Sequence, residues 1–322
     1  QKVFQVDVQV APGVVVPFQK TMYFSDFGPL FVVPGKLPWG PGPAGQGVAY
    51  AIKDANQKNF DLIDHWLAMD LAHNMDEFQQ AFKDYNGVIF NNTLAVDRAG
   101  KAFYIDDSTV PHLTDVAENA LRTNPQLIQM RRVAGFSILP GNSSQFDFHE
   151  AVPYEKAPKL LRSDFVQNSN DSFWLTNPAQ PISDVSILYG KTDYEQTYRS
   201  RLWQKMLQDA SGSDGRFNPQ ELESALFSER SLLAEEILPP LVSQCQAQGT
   251  VPVVLGDKSV DISPACNVLT QWDGRAFKNS RGVHLFRELA QEFSLDPQWS
   301  VPFDPAHPTT TPNTLNANAK VL

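Results

Sequence analysis

The spacing of hydrophobic residues changes along this chain from the period of a β-strand to that of an α-helix. From Val3 to Val10 apolar and polar residues alternate, and the run from Val14 to Phe24 is rich in β-branched and aromatic residues. Both patterns are typical of strands. From Tyr194 onwards the apolar residues recur with helical spacing. Because a strand-rich region is followed by a helical one, the sequence predicts an α+β fold.

Turn residues and helix caps divide the chain into further elements. A strand is expected at Val48–Ile52 after a Pro/Gly-rich loop, and a hairpin at Gly87–Asp107 with its turn at Asp97–Gly100. Residues 115–159 are mixed in pattern and punctuated by proline, so we expect a long loop excursion there. Helices are predicted over Phe60–Tyr85 (two helices, the second capped by Asn74), Tyr194–Leu207, Pro219–Phe227, Leu232–Gln246, Pro264–Trp272 and Val283–Phe293.

Length and charge restrict the class of protein. With 322 residues, of which 42% are hydrophobic, the chain can bury a substantial core as one large domain or two ordinary ones. We predict a strand-rich part at residues 1–193 and a mainly helical part with a polar tail at residues 194–322. The 26 basic and 36 acidic residues give a net charge of −10, which argues against a nucleic-acid partner. No apolar run approaches the length of a membrane span.

Motifs for metals and cofactors fail on physical grounds. The six histidines are scattered and form no H-E-x-x-H or Cys/His cluster, so no metal site is expected. Gly40–Gly45 matches the letters of a dinucleotide fingerprint, but its two prolines remove backbone donors and no helix is predicted after it. We therefore expect no cofactor, and the chain shows no self-contained catalytic set.

The two cysteines, Cys245 and Cys266, flank a loop that contains glycine and proline. A pair that bridges such a loop suits a disulfide in an oxidising compartment. On spacing alone, the alternative of two buried thiols stays open.

The segment Phe165–Pro178, FVQNSNDSFWLTNP, places amide and carboxylate side chains beside large aromatic ones. Asn and Asp favour turns because their side chains bond nearby backbone groups, whereas Phe173 and Trp174 favour burial. Taken alone, Asn170 is explained as a turn residue. The density of neutral amides beside aromatics suggests a second role for them.

The longer segment Leu160–Pro178, LLRSDFVQNSNDSFWLTNP, resembles the large chain of N-acyl homoserine lactone acylases and of aculeacin acylase. These enzymes belong to the penicillin acylase family of N-terminal nucleophile hydrolases. The resemblance implies part of that family's αββα sandwich with a helical insertion, and we expect a chain truncated at both ends. Further similar segments, in the same order along nearly the whole chain, are Phe27–Trp39, Tyr50–Asn56, Asn91–Tyr104, Gly215–Arg230 and Asn279–Leu289.

The reaction that this resemblance implies is cleavage of an amide by the terminal serine of the large chain, whose own α-amine acts as the base. Asn170 aligns with the family's oxyanion-hole asparagine, and a side-chain amide can donate there without a counter-charge. Arg199 falls where the family has an arginine near that asparagine, and Arg201 is the rival assignment. Gln1 offers neither hydroxyl nor thiol, so the nucleophile is expected upstream of this chain.

The function that the resemblance implies is that of an acylase acting on N-acyl homoserine lactones, which would quench quorum sensing. Its substrate would be a small acylated amide, its partner the small (alpha) chain of the processed heterodimer, and its location periplasmic or secreted. That exported location favours a disulfide between Cys245 and Cys266. Two alternatives share the scaffold: a penicillin, cephalosporin or lipopeptide acylase, and a non-catalytic periplasmic binding or structural protein.

Overall fold

The chain folds into two compact units, each built from interleaved segments. Gln1–Asn91, Asp106–Pro158 and Asp184–Tyr189 form unit 1. Asn92–Ile105, Lys159–Ser183 and Gly190–Leu322 form unit 2. The boundary after residue 193 stays a prediction, because compact units do not show which stretches fold independently. The computed structural model describes residues 1–32, 37, 39–41, 47–209, 214–292 and 299–316.

Unit 1 begins with a long antiparallel hairpin of β1 (Lys2–Ala11) and β2 (Val14–Met22). The register pairs Val6 with Phe18, so that alternate side chains share one apolar face, as the alternating sequence predicts. Nearly every residue of the hairpin is exposed. The hairpin therefore adds two paired strands to the unit but few buried side chains to its core.

Short strands follow this hairpin. The sequence predicts that the second strand reaches Phe24, but β2 ends earlier because the carbonyl of Tyr23 accepts from the N–H of Leu30 at 2.8 Å. The residues of the Pro/Gly-rich loop at 38 and 42–46, including most of the fingerprint-like glycines, lie outside the described residues. The strands are β3 (Phe24–Ser25), β4 (Gly28–Phe31), β5 (Gly40–Pro41), β6 (Gly47–Val48) and β7 (Tyr50–Ala51). They pair antiparallel in the orders β3-β4-β7 and β5-β6.

The two helices predicted over residues 60–85 are present as α1 (Leu62–Asp70) and α2 (Met75–Asp84). The Asn74 side chain caps α2, as predicted, by accepting from two backbone N–H groups at 3.0 Å each. On α1, His65 is fully buried, and its Nδ1 accepts from the N–H of Gly87 at 2.9 Å. A Cβ at Gly87 would lie 2.4 Å from the Asp61 carbonyl oxygen, so only glycine permits this close approach.

Two helices occupy part of the segment for which the sequence suggests a loop excursion. They are α3 (Asp115–Thr123) and α4 (Pro125–Ala134), so the loop interpretation is wrong for these residues. The side chains of Thr114 and Asn124 cap the two N-termini, and Gly135 ends α4 with a left-handed φ of 79°. A hydrophobic cluster forms around these two helices, and its buried residues are Leu113, Ala117, Leu121 and Leu127.

Unit 2 contains a three-stranded antiparallel sheet whose order is β10-β9-β8. The strands are β8 (Asn92–Val96), β9 (Ala102–Asp106) and β10 (Lys159–Arg162). The predicted hairpin turn is confirmed, since Asp97 Oδ1 accepts from the N–H groups of Ala99 and Lys101 at 2.9 Å each. The central strand β9 is buried along its whole length. The chain leaves β10 directly into the amide-rich stretch.

The helical part of the sequence forms helices within one or two residues of most predicted ends. These are α5 (Tyr198–Asp209), α6 (Pro219–Leu226), α7 (Leu232–Gln248), α8 (Ser263–Thr270) and α9 (Val283–Glu292). The exception is α5, which begins at Tyr198 rather than at Tyr194. None of the described helices is both long enough and apolar enough to span a bilayer. The mixed α+β class is confirmed.

The helices α7, α8 and α9 share one hydrophobic core. Its buried members include Ile237, Leu269 and Phe286. The predicted disulfide is present in this region, where Cys245 of α7 and Cys266 of α8 are joined at an S–S distance of 2.05 Å. A covalent link therefore reinforces the contact between these two helices.

Four further short strands are seen among the described residues of unit 2. They are β11 (Val253–Leu255), β12 (Lys258–Val260), β13 (Trp299–Val301) and β14 (Asn313–Leu315). The pair β11-β12 lies between the two cysteines in sequence. The polar tail, for which no periodic structure is predicted, supplies β14, which pairs with β13. Residues 317–322 of that tail lie outside the described part of the chain.

Candidate functional site

The amide-rich stretch forms a hydrogen-bonded turn around Asn170. Asn168 Oδ1 accepts from the Asn170 N–H at 2.8 Å, and Asn168 Nδ2 donates to the Asp171 carbonyl at 3.0 Å. Asn170 has a positive φ of 68°, a conformation that asparagine tolerates better than most residues. The turn prediction holds, and it leaves the Asn170 side chain exposed.

Buried aromatic residues anchor this turn in unit 2. Phe173, Trp174 and Leu175 form a buried 3-10 turn, and Gln204 of α5 donates from Nε2 to the Leu175 carbonyl at 2.8 Å. Asn177 Nδ2 donates to the Phe165 carbonyl at 2.9 Å. The stretch thus has a polar turn on an apolar base, which explains why amides lie beside aromatics in its sequence.

A bidentate ion pair holds the segment that enters the turn. Arg162 donates to both carboxylate oxygens of Asp164, at 2.8 Å and 2.6 Å. The hydrogen bonds from Arg162 are the main reason why the pKa of Asp164 is lowered to about 2. This carboxylate therefore stays charged near neutral pH.

Arg199, in the first turn of α5, fixes the orientation of the Asn170 amide. Its Nη2 donates to Asn170 Oδ1 at 3.0 Å and also to the Ser169 carbonyl oxygen. A guanidinium has no acceptor, so the amide oxygen of Asn170 must face it and the NH2 group must point away. No described residue accepts from that NH2 group. The arrangement presents an exposed, neutral and oriented hydrogen-bond donor.

Asp171 connects the same turn to the start of α5. Its Oδ2 accepts from the Thr197 N–H at 3.0 Å and from the Thr197 hydroxyl at 2.7 Å, while its Oδ1 accepts from the Tyr194 hydroxyl at 3.2 Å. That hydroxyl in turn accepts from the Ser172 N–H at 3.0 Å. Burial raises the pKa of Tyr194, which keeps the hydroxyl protonated as a donor.

Arg201, the rival of Arg199, has a different environment. It is fully buried, and its Nη2 lies 2.7 Å from Glu236 Oε1. Its Nε donates to the Pro308 carbonyl at 2.9 Å. These contacts hold α5 to α7 and to the polar tail. Of the two arginines it is Arg199 that contacts Asn170, and a catalytic role for either residue stays a prediction.

The sequence did not single out Asp171, Thr197 or Tyr194 as parts of the site. A signal for Thr197 existed, because a threonine directly before a helical period is a common N-cap. The predicted helix began four residues too early at Tyr194 and so concealed it. No such signal identifies Asp171, whose partners lie more than twenty positions further along the chain.

The side chains that could ligate a metal lie apart in the described part of the chain. There, no group of three or more His, Cys, Asp or Glu side chains comes together as a metal site. The expectation of a site without metal stays a prediction.

Comparison with known proteins places the chain in a family. The fold is similar to that of a thermostable penicillin G acylase from Alcaligenes faecalis, with a TM-score of 0.52 and 16% identity, over 91% of this chain and 46% of that one. Residues 2–321 match the family described as Penicillin amidase. The chain belongs to the penicillin amidase family.

Curated relatives are similar over nearly the whole chain. The chain is 32% identical over 320 residues to acyl-homoserine lactone acylase PvdQ of Pseudomonas syringae pv. tomato, covering 96% of this chain and 39% of that protein. It is 33% identical over 297 residues to aculeacin-A acylase of Actinoplanes utahensis, covering 88% of this chain and 36% of that protein. This chain thus spans less than two fifths of the length of each of these relatives.

Proposed function

We propose that the intact protein is an amide hydrolase that removes the acyl group of N-acyl homoserine lactones or of related acylated amines. Membership of the penicillin amidase family and the names of the relatives support this proposal. Acyl-homoserine lactones are the preferred substrate class because several curated relatives carry that name. Aculeacin A and β-lactam antibiotics remain related candidates for the acylated amine.

In this proposal the present chain supplies an oxyanion donor rather than the nucleophile. The terminal serine that the family resemblance implies would be contributed by a part of the intact protein outside residues 1–322. Its hydroxyl would attack the acyl carbonyl while its α-amine accepts the proton. The carbonyl oxygen would then become an oxyanion, which needs a preorganised donor. The NH2 group of Asn170 would be that donor.

One observation carries this assignment. Arg199 donates to the amide oxygen of Asn170 at 3.0 Å. The NH2 group of Asn170 is therefore turned away from the guanidinium and towards solvent. A neutral amide fixed in this way can stabilise developing charge without reorganising during the reaction. A simple turn residue does not need a guanidinium bonded to its side chain.

The proposal extends to partner and location. A small (alpha) chain would complete the acyl-binding pocket of a processed heterodimer. The protein would act in the periplasm or after secretion, and the disulfide between Cys245 and Cys266 supports this location because such bonds persist in oxidising compartments.

The test is an Asn170→Ala substitution in the intact protein, with an N-acyl homoserine lactone as substrate and release of free homoserine lactone as the readout. Loss of one oxyanion donor should lower kcat by about 10²–10³-fold. Because the amide acts only in the transition state, KM should change little and kcat/KM should fall with kcat.

Asn119→Ala is the matched control, since Asn119 is an exposed asparagine on α3, and this variant should retain full activity. A correctly processed Asn170→Ala protein with near-normal kcat would contradict the assignment of Asn170. An intact wild-type protein that binds acylated amines but cleaves none of them would favour the alternative of a non-catalytic binding protein.

A further inference from the structure

We propose that Asp171 is a positioning residue that sets the distance between Asn170 and Arg199 by joining the turn to the N-terminus of α5. This inference rests on the proposed function of Asn170, and it adds a residue for which neither the sequence nor the resemblance suggested a role. It is carried by the hydrogen bonds on both sides of the Asp171 carboxylate.

On the helix side, Asp171 occupies the position of an N-terminal cap supplied from another segment. Thr197 directly precedes α5, and its carbonyl accepts from the Arg201 N–H at 3.0 Å. Its hydroxyl accepts from the Ser200 N–H at 3.4 Å and donates to Asp171 Oδ2 at 2.7 Å. Asp171 also accepts from the Thr197 N–H. A carboxylate at a helix N-terminus is stabilised by the helix dipole as well as by these bonds.

On the turn side, hydrogen bonds hold the backbone at and around Asp171 as well as its carboxylate. Asn168 bonds the Asp171 carbonyl and the Asn170 N–H with the two ends of its amide. The Tyr194 hydroxyl donates to Asp171 Oδ1 and accepts from the N–H of Ser172. The carboxylate therefore projects from a held backbone and can act as a rigid link.

Together these contacts close a ring of covalent and hydrogen bonds. Asp171 follows Asn170 in sequence, and Thr197 lies two residues before Arg199. The Asp171–Thr197 contact and the Asn170–Arg199 contact thus connect the same two short segments. If the first contact is broken, the first turn of α5 can move relative to the turn, and Arg199 no longer fixes the amide of Asn170.

The test compares variants of the intact protein in the hydrolysis assay. Asp171→Ala removes all three accepted bonds and should lower kcat by about 10–100-fold with KM almost unchanged, because a displacement of about 1 Å can cost that much. Thr197→Val keeps the N–H but loses the hydroxyl, so kcat should fall by a smaller factor. Thr197→Ser keeps both groups and should restore near-wild-type kcat.

A double-mutant cycle separates positioning from a general structural role. If Asp171 acts through Asn170, then Asp171→Ala should cause little further loss of kcat/KM in an Asn170→Ala background. An equal loss in both backgrounds would overturn the inference, as would normal kcat in Asp171→Ala beside an impaired Asn170→Ala. If Asp171→Ala fails to fold, the same cycle is run with Thr197→Val. Normal kcat in Asn170→Ala alone would instead refute the proposed function, so the two failures are distinguishable.

Discussion

Arg199 and Arg201 lie in the same turn of α5 but face different surroundings. Arg199 is exposed and bonds the turn around Asn170, whereas Arg201 is fully buried against Glu236. Burial raises the pKa of the Glu236 carboxyl, and the Arg201 guanidinium acts in the opposite direction. The first arginine can orient a side chain that meets substrate, while the second compensates a charge inside the protein.

Alanine substitutions should separate these two roles. Arg199→Ala should lower kcat by about tenfold or more, because the Asn170 amide loses its orientation, and should leave the free energy of unfolding nearly unchanged. Arg201→Ala should cost about 3–5 kcal/mol of stability, since it breaks a buried ion pair and leaves the Glu236 carboxyl without its partner. Turnover and urea unfolding of each variant provide the measurement. Reversed effects at the two positions would show that Arg201 is the active-site arginine.

The candidate site could be predicted from the sequence only in part. Asn170 could be identified because its neighbours form a continuous, recognisable segment. The choice between Arg199 and Arg201 could not be made, since it depends on which face of α5 meets the turn, and the contact partners are almost thirty positions apart in the chain. Nor does any local pattern indicate that Arg201 pairs with Glu236, because that contact exists only after α5 packs near α7.

At the scale of elements, the disulfide between α7 and α8 should contribute substantially to stability. The two cysteines are 21 positions apart, and closing a loop of this size in the unfolded chain corresponds to about 3 kcal/mol in the entropic model. A Cys245→Ser/Cys266→Ser double variant should therefore unfold at lower urea concentration. Wild-type protein treated with reductant is the control and should lose a similar amount. A loss below about 1 kcal/mol would mean that helix packing alone determines the stability of this region.

Elements with a clear hydrophobic period were the ones that the sequence predicted. The hairpin at Gly87–Asp107 and helices such as α7 follow directly from period and turn residues. The helices α3 and α4 were missed because prolines suggested a loop. Yet Pro125 stands at the first turn of α4, where its missing N–H costs nothing. The capping residues Thr114 and Asn124 are visible in the sequence. In the structure their caps outweigh the loop signal that the prolines give.

At the scale of the whole molecule, the contribution of His65 to stability should fall between neutral and mildly acidic pH, whereas that of Glu236, whose pKa burial raises to about 7, should change in the opposite direction. Burial lowers the pKa of His65 from 6.5 to about 4. The folded state therefore disfavours protonation of a group that the unfolded chain protonates below pH 6.5. This contribution is fully present above pH 6.5 and is lost as the pH falls towards 4. From pH 7 to pH 4.5 the loss should be about 2–3 kcal/mol.

Urea unfolding of wild-type and His65→Asn proteins at the two pH values measures this loss. Asparagine does not titrate, and its Oδ1 can still accept from the Gly87 N–H, so the change in unfolding free energy between the two pH values should differ from that of the wild type by that amount. His73→Asn is the matched control, because the His73 side chain is 85% exposed, and its pH dependence should equal that of the wild type. An unchanged pH dependence in His65→Asn would contradict the prediction.

The antiparallel pairing of β10 with β9 also bears on the order in which the chain folds. β8 and β9 are joined by a tight turn and can pair within microseconds. Lys159 of β10 meets Ile105 of β9 only after the long intervening segment has closed, and the entropy of that closure slows the step. Because the turn that carries Asn170 follows β10 directly, we expect the site to acquire its geometry among the last steps of folding.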